Sequence, residues 1–255
     1  MHWDQIIYKY QTAPVIPAPH AHFYTLTLTT EKNNKLLASL EMTYIDREEL
    51  DESDILDEGF SGDDDINWNG ELPAIWKTII SDSLKKLPGK FSRDNSDPET
   101  DDFQELIIQG DGKERVVENA KDLKNWNYSA QEIIQAIFEA AGKEKPFEME
   151  YTRNIDGLQH NIQFSASFLK REFSVKNHKT NQVKSLPWDS LHNFLGIIFG
   201  ADFRPDLITD NNSKKPGHFI NTGDDLWYEL GISILDPNGG TKAIKKIEKL
   251  LEEYV

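Results

Sequence analysis

The chain has 255 residues, 38% of them hydrophobic and 28% charged, with no cysteine and a formal net charge of −16. A chain of this length buries a substantial core, in one large domain or two of ordinary size, without covalent staples. The missing cysteine excludes disulfides, thiolate metal sites and cysteine nucleophiles, and the acidic balance argues against a nucleic-acid partner, whose phosphates need clustered Lys and Arg.

The first 23 residues, MHWDQIIYKYQTAPVIPAPHAHF, lack a basic stretch followed by a long apolar one. No later apolar run approaches the roughly 18 residues that span a bilayer. The expectation is a cytoplasmic protein that makes no membrane contact. Within this segment His20 and His22 stand at strand spacing, which would place two imidazoles on one face, as some metal hydrolases do. A metal-dependent hydrolase using His20, His22 and nearby carboxylates is therefore the alternative function to weigh.

Next, HFYTLTLTT and LLASLEMTYI alternate apolar and polar residues around EKNNK, the pattern of a hairpin of half-buried strands. The segment from Asp46 to Asp65 follows. It holds eleven acids against one base, Arg47, a local balance of −10 that leaves only −6 for the rest of the chain. Crowded carboxylates in a connection repel one another and attract a cationic partner at long range. Leu50, Ile55, Leu56, Phe60 and Ile66 punctuate the acids and offer apolar anchors. The expected contact surface for a basic partner protein is Glu48, Glu49, Asp51, Glu52, Asp54, Asp57, Glu58, Asp63, Asp64 and Asp65. The plainer reading of the same run is a solvated loop or an acidic helix.

Asn67-Trp68-Asn69 and Asn125-Trp126-Asn127 each precede an apolar stripe at matching offsets: Ile75, Trp76, Ile79 and Ile80, then Ile133, Ile134, Ile137 and Phe138. Trp188-Asp189 begins a looser copy with Phe194, Leu195, Ile198 and Phe199. These read as buried helical stripes, with the Asx after each Trp as a helix cap. Between them, FQELIIQ and KERVVENA flank Gly110-Asp111-Gly112, and FEMEYTRNI and LQHNIQFSASF flank Asp156-Gly157. Asp-Gly signals a tight hairpin turn because both central residues need positive φ. Near the end, DLWYELGISIL reads as a strand, DPNGG as a turn, and TKAIKKIEKLLEEY as a helix whose Lys242, Lys245, Lys246 and Lys249 make a solvated face.

Hairpins followed by single helices, about four times over, predict an α+β fold: a largely antiparallel sheet with about four helices layered on it in repeated hairpin-helix units. The whole chain, residues 1–255, reads as one globular unit, with residues 88–102 as the candidate division into two halves. Residues 204–221 form a second turn-rich connection.

Cofactor motifs fail on spacing. Asp63, Asp65 and Asn67 open a calcium-loop pattern, but Trp68 stands where Gly is needed and Ala74 where the bidentate Glu is needed. Asp236, Asn238 and Gly240 fail likewise at Thr241 and Ile247. No phosphate-cradling Gly-rich loop or nucleophile elbow occurs, so the expectation is a protein without a cofactor that works by binding and not by catalysis.

Overall fold

The computed structural model describes residues 2–31, 35–88, 90, 96–155, 157–208 and 213–255. The centre of the EKNNK turn, Asp156 of the Asp-Gly turn, and parts of the 88–102 and 204–221 connections lie outside the described residues. The chain forms two compact units, Met1–Glu144 and Lys145–Val255. The division falls between Glu144 and Lys145, and the 88–102 segment lies within the first unit.

In the first unit the order is β1 (Gln5–Gln11), β2 (His22–Thr30), β3 (Leu36–Tyr44), a short helix α1 (Glu52–Asp57), β4 (Ile66–Leu72), α2 (Ile75–Lys85), β5 (Phe103–Gly110), β6 (Lys113–Val117) and α3 (Ala120–Ala140). The six strands form one antiparallel sheet, ordered β4-β3-β2-β1-β5-β6. β1 is central because both its edges pair: Tyr8 lies opposite Leu26 of β2 and Leu106 of β5. Alternation sorts the faces, with Ile6, Tyr8, Leu26, Leu28, Leu40 and Leu106 buried, while Thr25, Thr27 and Thr29 point the other way and stay partly exposed.

Helices α2 and α3 supply the facing layer through Trp76, Ile80 and Leu84 and through Leu123, Trp126, Ile133 and Ile137, all at most 1% exposed. Trp126 meets Tyr8 edge to face at 6.0 Å between centroids. The two helices touch through a hydrogen bond between Ser83 and Ser129. α3 begins where Asn119 Oδ1 accepts from the Lys121 amide at 2.9 Å. The β5–β6 turn has Asp111 at φ 53° and Gly112 at φ 68°, the paired positive angles its sequence demands.

The second unit runs β7 (Phe147–Ile155), β8 (Leu158–Ser167), β9 (Glu172–Asn177), β10 (Gln182–Leu186), α4 (Leu191–Ile198), β11 (Asp202–Phe203), β12 (Gly217–Asn221), β13 (Tyr228–Glu229), β14 (Ile234–Leu235) and α5 (Lys242–Glu252). Its six-stranded sheet is ordered β10-β9-β8-β7-β12-β13, and β11 pairs separately with β14. Met149, Tyr151, Ile162 and Phe164 of the sheet join Leu191, Phe194 and Ile198 of α4 and Ile244, Ile247 and Leu251 of α5 in one core.

The α+β fold with antiparallel sheets and covering helices is thus present, but its repeat has a longer period than the Trp motifs imply. Each unit is a four-stranded meander, a helix, a strand returning to the first one, a further strand, and a helix. The three tryptophans are not equivalent. Trp68 is half-buried in β4, Trp126 is fully buried in mid-α3, and Trp188 opens a 3-10 turn before α4. Asn69 lies in a strand and Asn127 inside a helix, so neither is a cap. The expected single strand at 225–235 is two short ones, β13 and β14, separated by a turn with Gly231 at φ 81°.

Because Trp126 is fully enclosed, Trp126→Ala should cost about 3–5 kcal/mol. Exposed Gln131 on the same helix should tolerate Ala within about 0.5 kcal/mol. Urea titrations followed by far-ultraviolet circular dichroism would measure both.

Candidate functional site

The acidic segment connects β3 to β4, a position that exposes it and yet fixes both its ends in the sheet. Asp46 takes a left-handed conformation, φ 61°, and turns the chain out of β3. A 3-10 turn over Arg47–Glu49 and the six-residue α1 follow. The connection is therefore a folded excursion and not an extended, flexible ribbon. Of its apolar residues, Ile55 and Ile66 are buried and Leu50 and Phe60 half-buried, while Leu56 is 56% exposed. Four of the five anchors serve the protein's own packing, and one is left to the outside.

Arg47, the lone base, holds the excursion in place. Its side chain is 11% exposed, and its Nε donates to Pro19 O at 3.1 Å. Its Nη1 donates to Ser61 O at 2.8 Å and to Asp64 Oδ2 at 2.7 Å. The guanidinium lies 3.7 Å from the centre of the Tyr44 ring and 4.7 Å from that of Phe60. A planar cation suits this place, because its edge donates while its faces cover aromatic rings.

Asp64 completes the clasp by accepting from the Ser61 amide at 2.8 Å and the Ser61 hydroxyl at 2.7 Å. Burial works to raise its carboxyl, but the Ser61 donors and Arg47 together outweigh it and hold the group below the usual carboxylate range. Nearby, Asp65 Oδ1 accepts from the Tyr44 amide at 2.8 Å, and Lys143 Nζ donates to Asp63 O at 3.0 Å.

The structure brings the predicted contact residues onto one excursion but not into one role. Asp64 is turned inward as a structural carboxylate. Glu48, Glu49, Asp51, Glu52, Asp54, Asp57, Glu58, Asp63 and Asp65 are exposed. Glu58 lies 3.6 Å from His20 Nε2, a contact that is ionic only when that imidazole is protonated. In α1, Glu52 and Asp54 favour the positive end of the helix dipole, whereas Asp57 and Glu58 crowd its negative end with no base in the last turn. The acidic helix is thus held against its own electrostatics by Ile55 and by the clasp.

The two histidines do not share a strand face. His22 opens β2 and lies among Tyr10, Tyr24 and Tyr44, its Nδ1 2.8 Å from His20 O. His20 precedes the strand and meets the Phe60 ring edge-on. Among the described residues no group of three or more His, Asp or Glu side chains is placed to hold a metal ion. The Asp236 carboxylate, which begins the second calcium-like pattern, accepts from the Asn238 and Ala243 amides at the start of α5.

What the sequence reading missed is Arg47. Its signal was present as the single base among eleven acids, but its partners come from three separate stretches, at Pro19, Tyr44 and residues 60–64.

Together the fold and this excursion define a two-unit α+β protein that displays an ordered acidic surface. No protein-family model matches the chain, and no curated protein sequence matches it.

Arg47→Ala should remove two backbone hydrogen bonds and the Asp64 countercharge, a loss of about 2 kcal/mol. Hydrogen exchange should then quicken at Ser61 and its neighbours while the β2–β3 amides stay protected. The Asp64 contribution has the sign of a depressed carboxyl: fully present above its unfolded pKa near ~3.9, and lost as pH falls through the lower folded value. Melting curves between neutrality and acid should therefore show no loss from this group until below about pH 4, and Asp64→Asn should remove that acid-limb dependence.

Proposed function

We propose that this is a non-catalytic binding protein whose acidic excursion, residues 46–65, contacts a basic partner protein. The observation that carries the reading is the exposure of nine of the ten predicted carboxylates on one folded loop, which also exposes Leu56 and is clasped by Arg47. Solubility alone requires only that acids be exposed, in any conformation. Here the cation, a buried isoleucine and two aromatic rings keep mutually repelling carboxylates in a fixed array. A fixed array loses little conformational entropy on docking, which favours recognition of a shaped cationic surface. An inhibitor or a mimic of nucleic-acid charge would draw on the same physics. A cytoplasmic location belongs to this reading, in keeping with a fold held by packing without disulfides. No helix among the described residues is long and apolar enough to cross a membrane.

The test replaces Glu52, Asp54, Asp57 and Glu58 with Gln or Asn, all at exposed positions, so the melting temperature should stay put. Immobilised wild-type protein should capture basic proteins from lysate at about 0.1 M salt, where screening is modest, and lose them at several-fold higher salt. The neutralised variant should capture few of them. An identical captured set for the two proteins would overturn the proposal.

A further inference from the structure

The second unit carries a surface opposite in character to the acidic excursion. Two adjoining cavities of about 370 and 570 Å³ run along the seam between α4 and α5 and share Ile197 and Lys246 in their linings. The floor is apolar and aromatic, with Phe194 and Tyr254 between the helices. One wall is a lysine stripe: Lys242, Lys246 and Lys249 follow one another at helical spacing along α5, all exposed. None of the three has an ion-pair partner among the described residues. The other wall is cut back at Gly196, where a side chain would project into open space. The lining includes two acids, Asp236 and Glu253, of which Asp236 is engaged by the Asn238 and Ala243 amides. In a chain of net charge −16, this lysine-walled apolar groove suits an acidic segment that also carries an apolar side chain.

The same chain presents such a segment. α1 is a short helix that exposes Glu52, Asp54, Leu56 and Asp57, with Glu52 and Leu56 four residues apart on one face. Six helical residues span about 9 Å, against about 16 Å for the eleven of α5, so the helix fits within the groove's length. We propose that the α4–α5 groove is the docking site for α1 of a second copy of this chain. Leu56 enters over Ile197 and Phe194, and the α1 carboxylates pair with Lys246 and Lys249. The inference rests on the acidic excursion being a contact surface, and it finds a cationic surface for it in the lysine wall of a second, overall acidic copy. Every copy carries both halves of the contact. The overall negative charge opposes approach at low ionic strength. At about 0.1 M salt the Debye length is ~10 Å, so that long-range repulsion is screened while charges in contact still attract.

Sedimentation velocity on the full chain over a concentration series is the test, with melting curves to verify folding of each variant. Wild-type protein should associate reversibly at about 0.1 M salt and dissociate as salt is raised. Lys246→Glu with Lys249→Glu should weaken association at least tenfold, and so should Glu52→Lys with Asp54→Lys and Asp57→Lys. Mixing the two variants should restore it, because each then supplies the complement the other lacks. Monomeric wild-type protein at every concentration, association indifferent to the lysine reversals, or a mixture that fails to recover would overturn the proposal. If association fails while capture of basic proteins still depends on the α1 carboxylates, only the self-docking assignment falls. Loss of both removes the acidic excursion as a contact surface.

Discussion

Each unit depends on one constraint: the first strand must pair along both edges. β1 lies between β2, its neighbour in sequence, and β5, about a hundred residues on, and β7 likewise lies between β8 and β12. Only when the returning strand closes on the first does the sheet acquire the width that two helices can cover. In the first unit this closure places α3 over Tyr8, whose hydroxyl donates to Asn127 on that helix at 2.7 Å. Asn127 in turn donates to Gln104 on β5 at 2.8 Å. Strand, returning strand and helix are thereby joined through polar contacts at the margin of an apolar core, where unsatisfied groups would be costly.

The second unit meets the same constraint with different chemistry. Tyr151 is its buried central-strand tyrosine, with the hydroxyl 2.8 Å from His218 Nδ1 on the returning strand. Burial pushes its pKa well above the ordinary tyrosine value, as it does for Tyr8. Both tyrosines are therefore neutral at any physiological pH. The two units thus share one strand order and close it with different contacts. The first devotes its β3–β4 connection to carboxylates, and the second leaves lysines along α5.

Much of this could be read from residues alone, for reasons that differ by element. The β2–β3, β5–β6 and β7–β8 hairpins announce themselves by alternation, two of them reinforced by Asp-Gly, and α5 by Ile244, Ile247 and Leu251 at helical spacing. β1 went unread because its alternating residues abut a proline-rich stretch, and β10 because four of its five residues are exposed and give no apolar signal. The matched Asn-Trp-Asn triplets misled because three residues do not fix conformation. Opposite β3 the first is held extended, and after the Asn119 cap the second is already helical. As for the site, composition located the acidic run, but the clasp that orders it joins distant stretches through a guanidinium, and no spacing rule encodes that. The two-histidine motif failed for a related reason, since His20 lies before the strand that would have aligned it with His22.

Three of the four outermost strands of the two sheets restrict how copies of the molecule can meet. β13 has only two residues, β6 begins Lys-Glu-Arg, and β10 carries Lys184 at its centre. Short or charged borders of this kind are poor templates for a foreign strand. Fibre-like growth by adding β-structure end on end is therefore disfavoured along these rims, and encounters between molecules are diverted to helices and loops, where side-chain charge selects the mate.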